Sequence, residues 1–150
     1  MSTTAAMLVL GIAAGFVWIR FADPAEWQVR SNGVVLTEAA SKGQFSVIVV
    51  FVIIGAVASF LWAWFAGLFL HEAGWIVTPV VIVATLVAAV IAWRLGVWLG
   101  PAGPESSTDR VVGDTIPSRL AIDGITPFLV WPIFGLIGVL WASWWNRRED

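Results

Sequence analysis

Residues 45–70 read FSVIVVFVIIGAVASFLWAWFAGLFL, a stretch without a single Asp, Glu, Lys or Arg. A helix needs about 20 apolar residues to cross the ~30 Å hydrocarbon core of a bilayer, at 1.5 Å per residue. Three further stretches also lack charged residues, at positions 1–19, 73–93 and 124–146. The sequence therefore predicts four transmembrane helices, at about residues 4–21, 45–70, 75–99 and 127–145.

The overall composition favours the same fold class, an all-α membrane bundle of four helices. Hydrophobic residues make up 59% of the chain and charged residues 12%, against roughly half and a quarter in soluble domains. The first apolar stretch has no Lys or Arg before it, so we expect a membrane helix there rather than a secretory signal. We expect one integral membrane domain that occupies residues 1–150 and is covered by the lipid bilayer.

Two polar loops, residues 22–43 and 100–124, are expected to form a small cap outside the membrane. Residues 26–30 and 33–37 resemble two short strands, and Asn32-Gly33 between them is a strong hairpin signal. Residues 119–122 form a candidate third strand. Residues 71–74 are too few for anything but a tight turn, which predicts an antiparallel pair of helices 45–70 and 75–99.

The chain has eleven tryptophans, a residue that favours the membrane–water boundary. Their spacing predicts one belt near the polar loops and a second belt at the opposite end of the bundle. The first belt would hold Trp18, Trp27, Trp93 and Trp98, and the second would hold Trp75, Trp141, Trp144 and Trp145. For Trp62, Trp64 and Trp131, a place in the bundle core is the alternative.

The end of the third span, VIAWRLGVWLGP at residues 90–101, and the start of the fourth, FLVWP at 128–132, carry a family likeness. With the layout of spans, hairpin loop and tight turn, they resemble a family of small actinobacterial four-span membrane proteins classed as a domain of unknown function. The resemblance implies an inner-membrane protein with both termini in the cytoplasm. It implies no activity and no catalytic residues.

The basic residues by themselves leave both orientations open. Most Lys and Arg residues lie on the side of the long loops, which by the positive-inside rule would make that side cytoplasmic. Arg147 and Arg148, however, directly follow the last span, whereas Arg110 and Arg119 lie farther from the helix ends. The position of Arg147 and Arg148 next to the last span favours a cytoplasmic C-terminus.

Arg94 is the first candidate functional residue, because it lies six residues before Gly100, about 9 Å inside the helix end. Ionisable residues within spans are costly and suggest function, here the binding of a lipid phosphate or another anion. Alternatively, Arg94 extends to the interface as an anchor or pairs with a loop acid.

Other titratable residues suggest no chemistry. His71 and Glu72 form an isolated pair in the short turn, where one histidine cannot supply the three ligands of a catalytic zinc. The loop acids Glu26, Glu38, Glu105, Asp109, Asp114 and Asp123 match no metal loop and alternate with basic residues. Without cysteine there is no thiol nucleophile or disulfide. We expect no catalytic residues, no cofactor, no metal and no nucleic-acid partner.

Small residues recur at four-residue intervals and predict faces on which helices approach closely. These faces hold Gly11 and Gly15 in the first helix, Gly55, Ser59, Ala63 and Gly67 in the second, and Gly96 and Gly100 in the third. They could serve packing within the bundle or contact with a partner, which could be another membrane subunit or a second copy.

The function expected from these features is that of a non-enzymatic accessory or assembly subunit of a larger membrane complex. The alternative is an oligomeric transport or channel component for an anionic lipid or solute. The spans contain no Asp, Glu or His, residues that ion-coupled transporters place near the bilayer midplane.

Overall fold

A computed structural model describes residues 2–24, 26–30, 33–36, 38–101 and 115–147. It contains four long helices, which we number α1 (Ser2–Phe21), α2 (Glu38–Phe69), α3 (Val77–Leu99) and α4 (Thr126–Asn146). All four are long and apolar enough to cross a membrane. The predicted fold class, a four-helix membrane bundle, is confirmed.

Helix α2 begins at Glu38, earlier than the predicted residue 45, so the polar loop is shorter than residues 22–43. The absence of charge marks only the part of a helix that lies in hydrocarbon. Residues such as Ala39, Ala40 and Lys42 are good helix formers, and a helix can continue through them into the polar layer.

Between α2 and α3, residues His71–Ile76 form a short 3₁₀-helix that is interrupted at Gly74. Gly74 has φ 59° and ψ −135°, a backbone conformation essentially restricted to glycine. Helices α2 and α3 run antiparallel as predicted, but their mutual contact is slight, because each packs mainly on another helix.

The cap contains a three-stranded antiparallel sheet of β1 (Glu26–Arg30), β2 (Gly33–Leu36) and β3 (Thr115–Pro117), in the order β2-β1-β3. The hairpin prediction is confirmed, since Arg30 pairs with Gly33 and Trp27 with Leu36. Thr37 and the intervening residues 31–32 lie outside the described residues.

The prediction of a strand at residues 119–122 is wrong, because the third strand is Thr115–Pro117. The alternating apolar residues Leu120 and Ile122 instead bury their side chains in the main core, to 1% and 8% exposure. The segment after β3 therefore covers the cap-side end of the bundle.

Two helix pairs run parallel and make the most extensive contacts, α1 with α3 and α2 with α4. Gly11 and Gly15 lie against Ala88 and Ala92, and Gly55 and Gly67 lie against Trp131 and Ala142. Helices α1 and α2 run antiparallel and are joined near both ends by indole hydrogen bonds. Trp18 Nε1 donates to the carbonyl oxygen of Val47 at 2.8 Å, and Trp62 Nε1 donates to that of Thr3 at 2.9 Å.

An aromatic cluster joins all four helices in the core. The Phe51 ring centroid lies 5.1 Å from that of Trp18 and 5.5 Å from those of Phe128 and Trp131. Trp93 of α3 joins the cluster at 5.8 Å from Phe128, in an edge-to-face arrangement that the ring quadrupoles favour.

The assignment of Trp18 to an interfacial belt is wrong, because this side chain is fully buried and forms part of the core. Trp62 and Trp131 are also buried, in agreement with the alternative prediction of a place in the bundle core. By contrast, five of the tryptophans predicted for the belts are well exposed: Trp75, Trp98, Trp141, Trp144 and Trp145.

We expect Gly96→Ala to lower the free energy of unfolding in detergent by about 1–3 kcal/mol, because the new methyl group would overlap the ring carbons of Trp18. Denaturant titration followed by circular dichroism measures the effect. Gly124→Ala is the matched control, since nothing lies within 4 Å of a Cβ there. Equal stability of the two variants would contradict the packing of Trp18 on Gly96.

Candidate functional site

Arg94 lies on the outside of the bundle, where its side chain is exposed. Its guanidinium carbon is 5.1 Å from the centroid of the Trp93 ring, within the range of a cation–π contact. Trp93 is half-buried, with its other contact to Phe128 in the core. Arg94 thus covers an edge of the aromatic cluster and does not enter the interior.

The loop acids proposed as alternative partners of Arg94 are only partly described. Glu26 and Asp123 have exposed side chains, as expected of a solvated surface. The side chain of Glu38 and all of Glu105, Asp109 and Asp114 lie outside the described residues, as do the side chains of His71 and Glu72. Within the described part of the chain, no group of three or more His, Cys, Asp or Glu could hold a metal ion.

The small residues of α1 and α3 lie between these two helices. A Cβ on Gly11 would fall 2.8 Å from the carbonyl oxygen of Ala88, and one on Gly15 would fall 3.1 Å from that of Ala92. Gly96 accommodates the ring of Trp18, and Gly100 lies next to the side chain of Leu120. These four glycines therefore contact neighbouring segments of the same chain.

The face of small residues on α2 lies against α4. Gly55 accommodates the indole of Trp131, Ala63 lies near Gly138, and Gly67 lies against Ala142. Ser59 is fully buried on the same face, and its hydroxyl has no hydrogen-bond partner among the described residues.

Two glycines of α4 were missed by the search for four-residue spacing. A Cβ on Gly135 would fall 2.9 Å from Val81 Cγ1, and one on Gly138 would overlap the carbonyl oxygen of Phe60. They are three residues apart, a spacing that also places two residues on one helix face. A three-residue interval between small residues is therefore a second signal of such a face.

The outer side of the α2–α4 pair carries an apolar groove, which we call the α2–α4 groove. Its cap-side part is a cavity of about 610 Å³. A second cavity of about 330 Å³ follows along the same two helices, farther from the cap. On α2 the two parts are lined by Phe45, Ile48, Val52, Ala56 and Phe60, and on α4 by Thr126, Val130, Phe134 and Ile137.

The lining residues recur every three or four positions on each helix, so the two cavities follow one continuous face of each. Gln44 and Asp123 give the cap end of the groove its polar groups, whereas the deeper part is lined by Ala, Val, Leu, Ile and Phe alone. Arg94 does not line either part.

Comparisons with known proteins give no match, whether to protein-family models, to curated proteins or to solved structures. The resemblance to an actinobacterial family therefore stays a prediction.

We expect Ser59→Ala to leave the free energy of unfolding unchanged or to raise it by up to ~1 kcal/mol, because it removes a buried hydroxyl without a partner. Thr85→Val is the contrasting variant at a second fully buried site. Thr85 Oγ1 donates a hydrogen bond to the carbonyl oxygen of Val81 at 2.7 Å. Loss of this bond in Thr85→Val should lower the free energy of unfolding by about 0.5–1.5 kcal/mol.

Denaturant titration in the same detergent measures both variants. If Ser59→Ala destabilised the protein as much as Thr85→Val, the Ser59 hydroxyl would have a partner, and the described contacts at the α2–α4 interface would be incomplete.

Proposed function

We propose that the chain is a non-enzymatic accessory or assembly subunit of a larger membrane complex. The supporting observation is the α2–α4 groove, which is apolar and open to the outside. We propose that its occupant is a transmembrane helix of a different protein.

The length of the groove favours a helix as its occupant. From Phe45 to Phe60 the lining residues of α2 extend over about 23 Å at 1.5 Å per residue. This distance is most of the ~30 Å hydrocarbon core. Helices associate in lipid through close van der Waals packing, which a groove of this length can supply along much of a partner helix.

The filled interior is a second argument for an accessory role over transport by a single chain. Trp18, Phe51 and Trp131 are at most 1% exposed, and their rings occupy the centre of the bundle at the cap-side half. A solute pathway within one chain would have to displace this cluster. A transport role would therefore require a pathway between several copies.

We also propose that the membrane is a bacterial inner membrane and that both termini are cytoplasmic. Four crossings of the membrane, an even number, would bring both termini to the same side, which supports this proposal. The resemblance to the actinobacterial family and the position of Arg147 next to the last span support the cytoplasmic side.

Photo-crosslinking in cells tests the accessory role. We expect the benzophenone variant Leu61→p-benzoylphenylalanine to give a discrete adduct with a foreign membrane protein, because Leu61 lines the α2–α4 groove. The same substitution at Val87 of α3 is the matched control, since both side chains are 42% exposed. Mass spectrometry of the adducts identifies the partner chain.

Two outcomes would contradict the proposal. Adducts of the chain with itself from position 61 would favour the oligomeric alternative. Equal, diffuse labelling from positions 61 and 87 would show that the groove is covered by lipid only.

Cysteine accessibility tests the orientation. The native chain has no cysteine, so Asp123→Cys on the cap side and Asn146→Cys at the other end each introduce a unique thiol. We expect an impermeant maleimide to label only position 123 in intact cells, and both positions after permeabilisation. Labelling of position 146 in intact cells would reverse the proposed topology.

A further inference from the structure

A third cavity, of about 340 Å³, lies at the end of the bundle opposite the cap. It opens where α2 ends, α3 begins and α4 ends, and it is separate from the α2–α4 groove. Among the residues that line it are Gly67, Gly74, Val77, Ser143, Asn146 and Arg147.

Glycines leave room for this cavity. Gly67 lies against Ala142, where a Cβ would fall 2.7 Å from the alanine methyl group, so α2 and α4 approach closely on one side. Gly74 has open space where a side chain would begin, with nothing within 4 Å. Gly74 therefore bounds the cavity without filling it.

The polar lining comes mainly from the last turn of α4. Ser143 precedes Asn146 by three residues and Arg147 by four, so the three side chains share one side of the helix end. They offer a hydroxyl, an amide and a guanidinium, all of them hydrogen-bond donors. Among the described residues of the lining, Arg147 is the charged one, and guanidinium groups match the geometry of phosphate oxygens.

The surrounding tryptophans indicate the depth of the cavity in the membrane. Trp75, Trp141, Trp144 and Trp145 lie at the same end of the bundle with exposures of 81%, 46%, 45% and 47%. Exposed tryptophans favour the headgroup level. Leu70, Val77 and Val139 in the lining give the cavity an apolar side as well.

We propose that this cavity binds an anionic phospholipid, with its phosphate held by Arg147, Asn146 and Ser143 and the start of an acyl chain against the apolar side. The α2–α4 groove is less suited to a phosphate, because its charged lining residue is the carboxylate of Asp123. The assignment is independent of the accessory role, since the two surfaces share no lining residue.

Native mass spectrometry of the full chain in detergent, titrated with phosphatidylglycerol, tests the proposal. We expect Arg147→Gln to weaken binding about tenfold and Ser143→Ala about threefold, the usual range for a charged and a neutral hydrogen bond. Arg119→Gln is the matched control, because Arg119 is also an exposed arginine but lies on the cap side. This variant should bind phosphatidylglycerol as tightly as the native chain does.

Two further ligands distinguish the source of the phosphate. Diacylglycerol, which lacks the phosphate, should bind at least tenfold more weakly than phosphatidylglycerol, and inorganic phosphate should not displace the lipid at millimolar concentration. Displacement by inorganic phosphate would assign the cavity to a soluble anion and overturn the lipid proposal. Equal affinities for native chain and Arg147→Gln, or equal losses in Arg147→Gln and Arg119→Gln, would also overturn it.

Discussion

The packing of two tryptophan rings on two glycines is the interaction on which the rest of the bundle depends. Trp131 of α4 lies on Gly55 of α2, and Trp18 of α1 lies on Gly96 of α3. Lipid chains are as apolar as the side chains, so burial of apolar surface gives helices little reason to associate in a membrane, and close packing must replace it. Each large ring fills the space that a missing side chain leaves. Phe51 contacts both tryptophans and thereby connects the two parallel helix pairs.

This interior also determines which surfaces remain for function. Because the small residues at the helix contacts and the rings of the aromatic cluster pack within the chain, the surfaces open to partners are the outer ones. The α2–α4 groove is long and apolar, and it suits a helix. The cavity beside Arg147 is smaller and carries polar groups, which supports the proposal of a phosphate there. The two surfaces have different chemistry, so a partner protein and a specific lipid could bind at the same time.

Much of the fold could be predicted from the sequence. The four spans follow from the absence of charge, and the hairpin follows from Asn32-Gly33 between two short, strand-like runs. The strand expected at residues 119–122 shows the limit, because alternating Leu120 and Ile122 fit a strand and a covering segment equally well. The helix pairing could not be predicted, since spacing identifies the face of a helix but not the helix that it meets. For the same reason the sequence predicts an interfacial position for Trp18, although its ring fills the space at Gly96.

A double-mutant cycle between Gly55→Ala and Trp131→Leu tests the central packing claim most directly. Gly55→Ala alone should destabilise the bundle, because its methyl group would overlap the Trp131 indole. With Trp131→Leu already in place, the same substitution should cost much less, so the free energies of unfolding should show a coupling of about 1 kcal/mol or more. Effects that add to within ~0.5 kcal/mol would show that the indole does not lie on Gly55, and would contradict the account of the core.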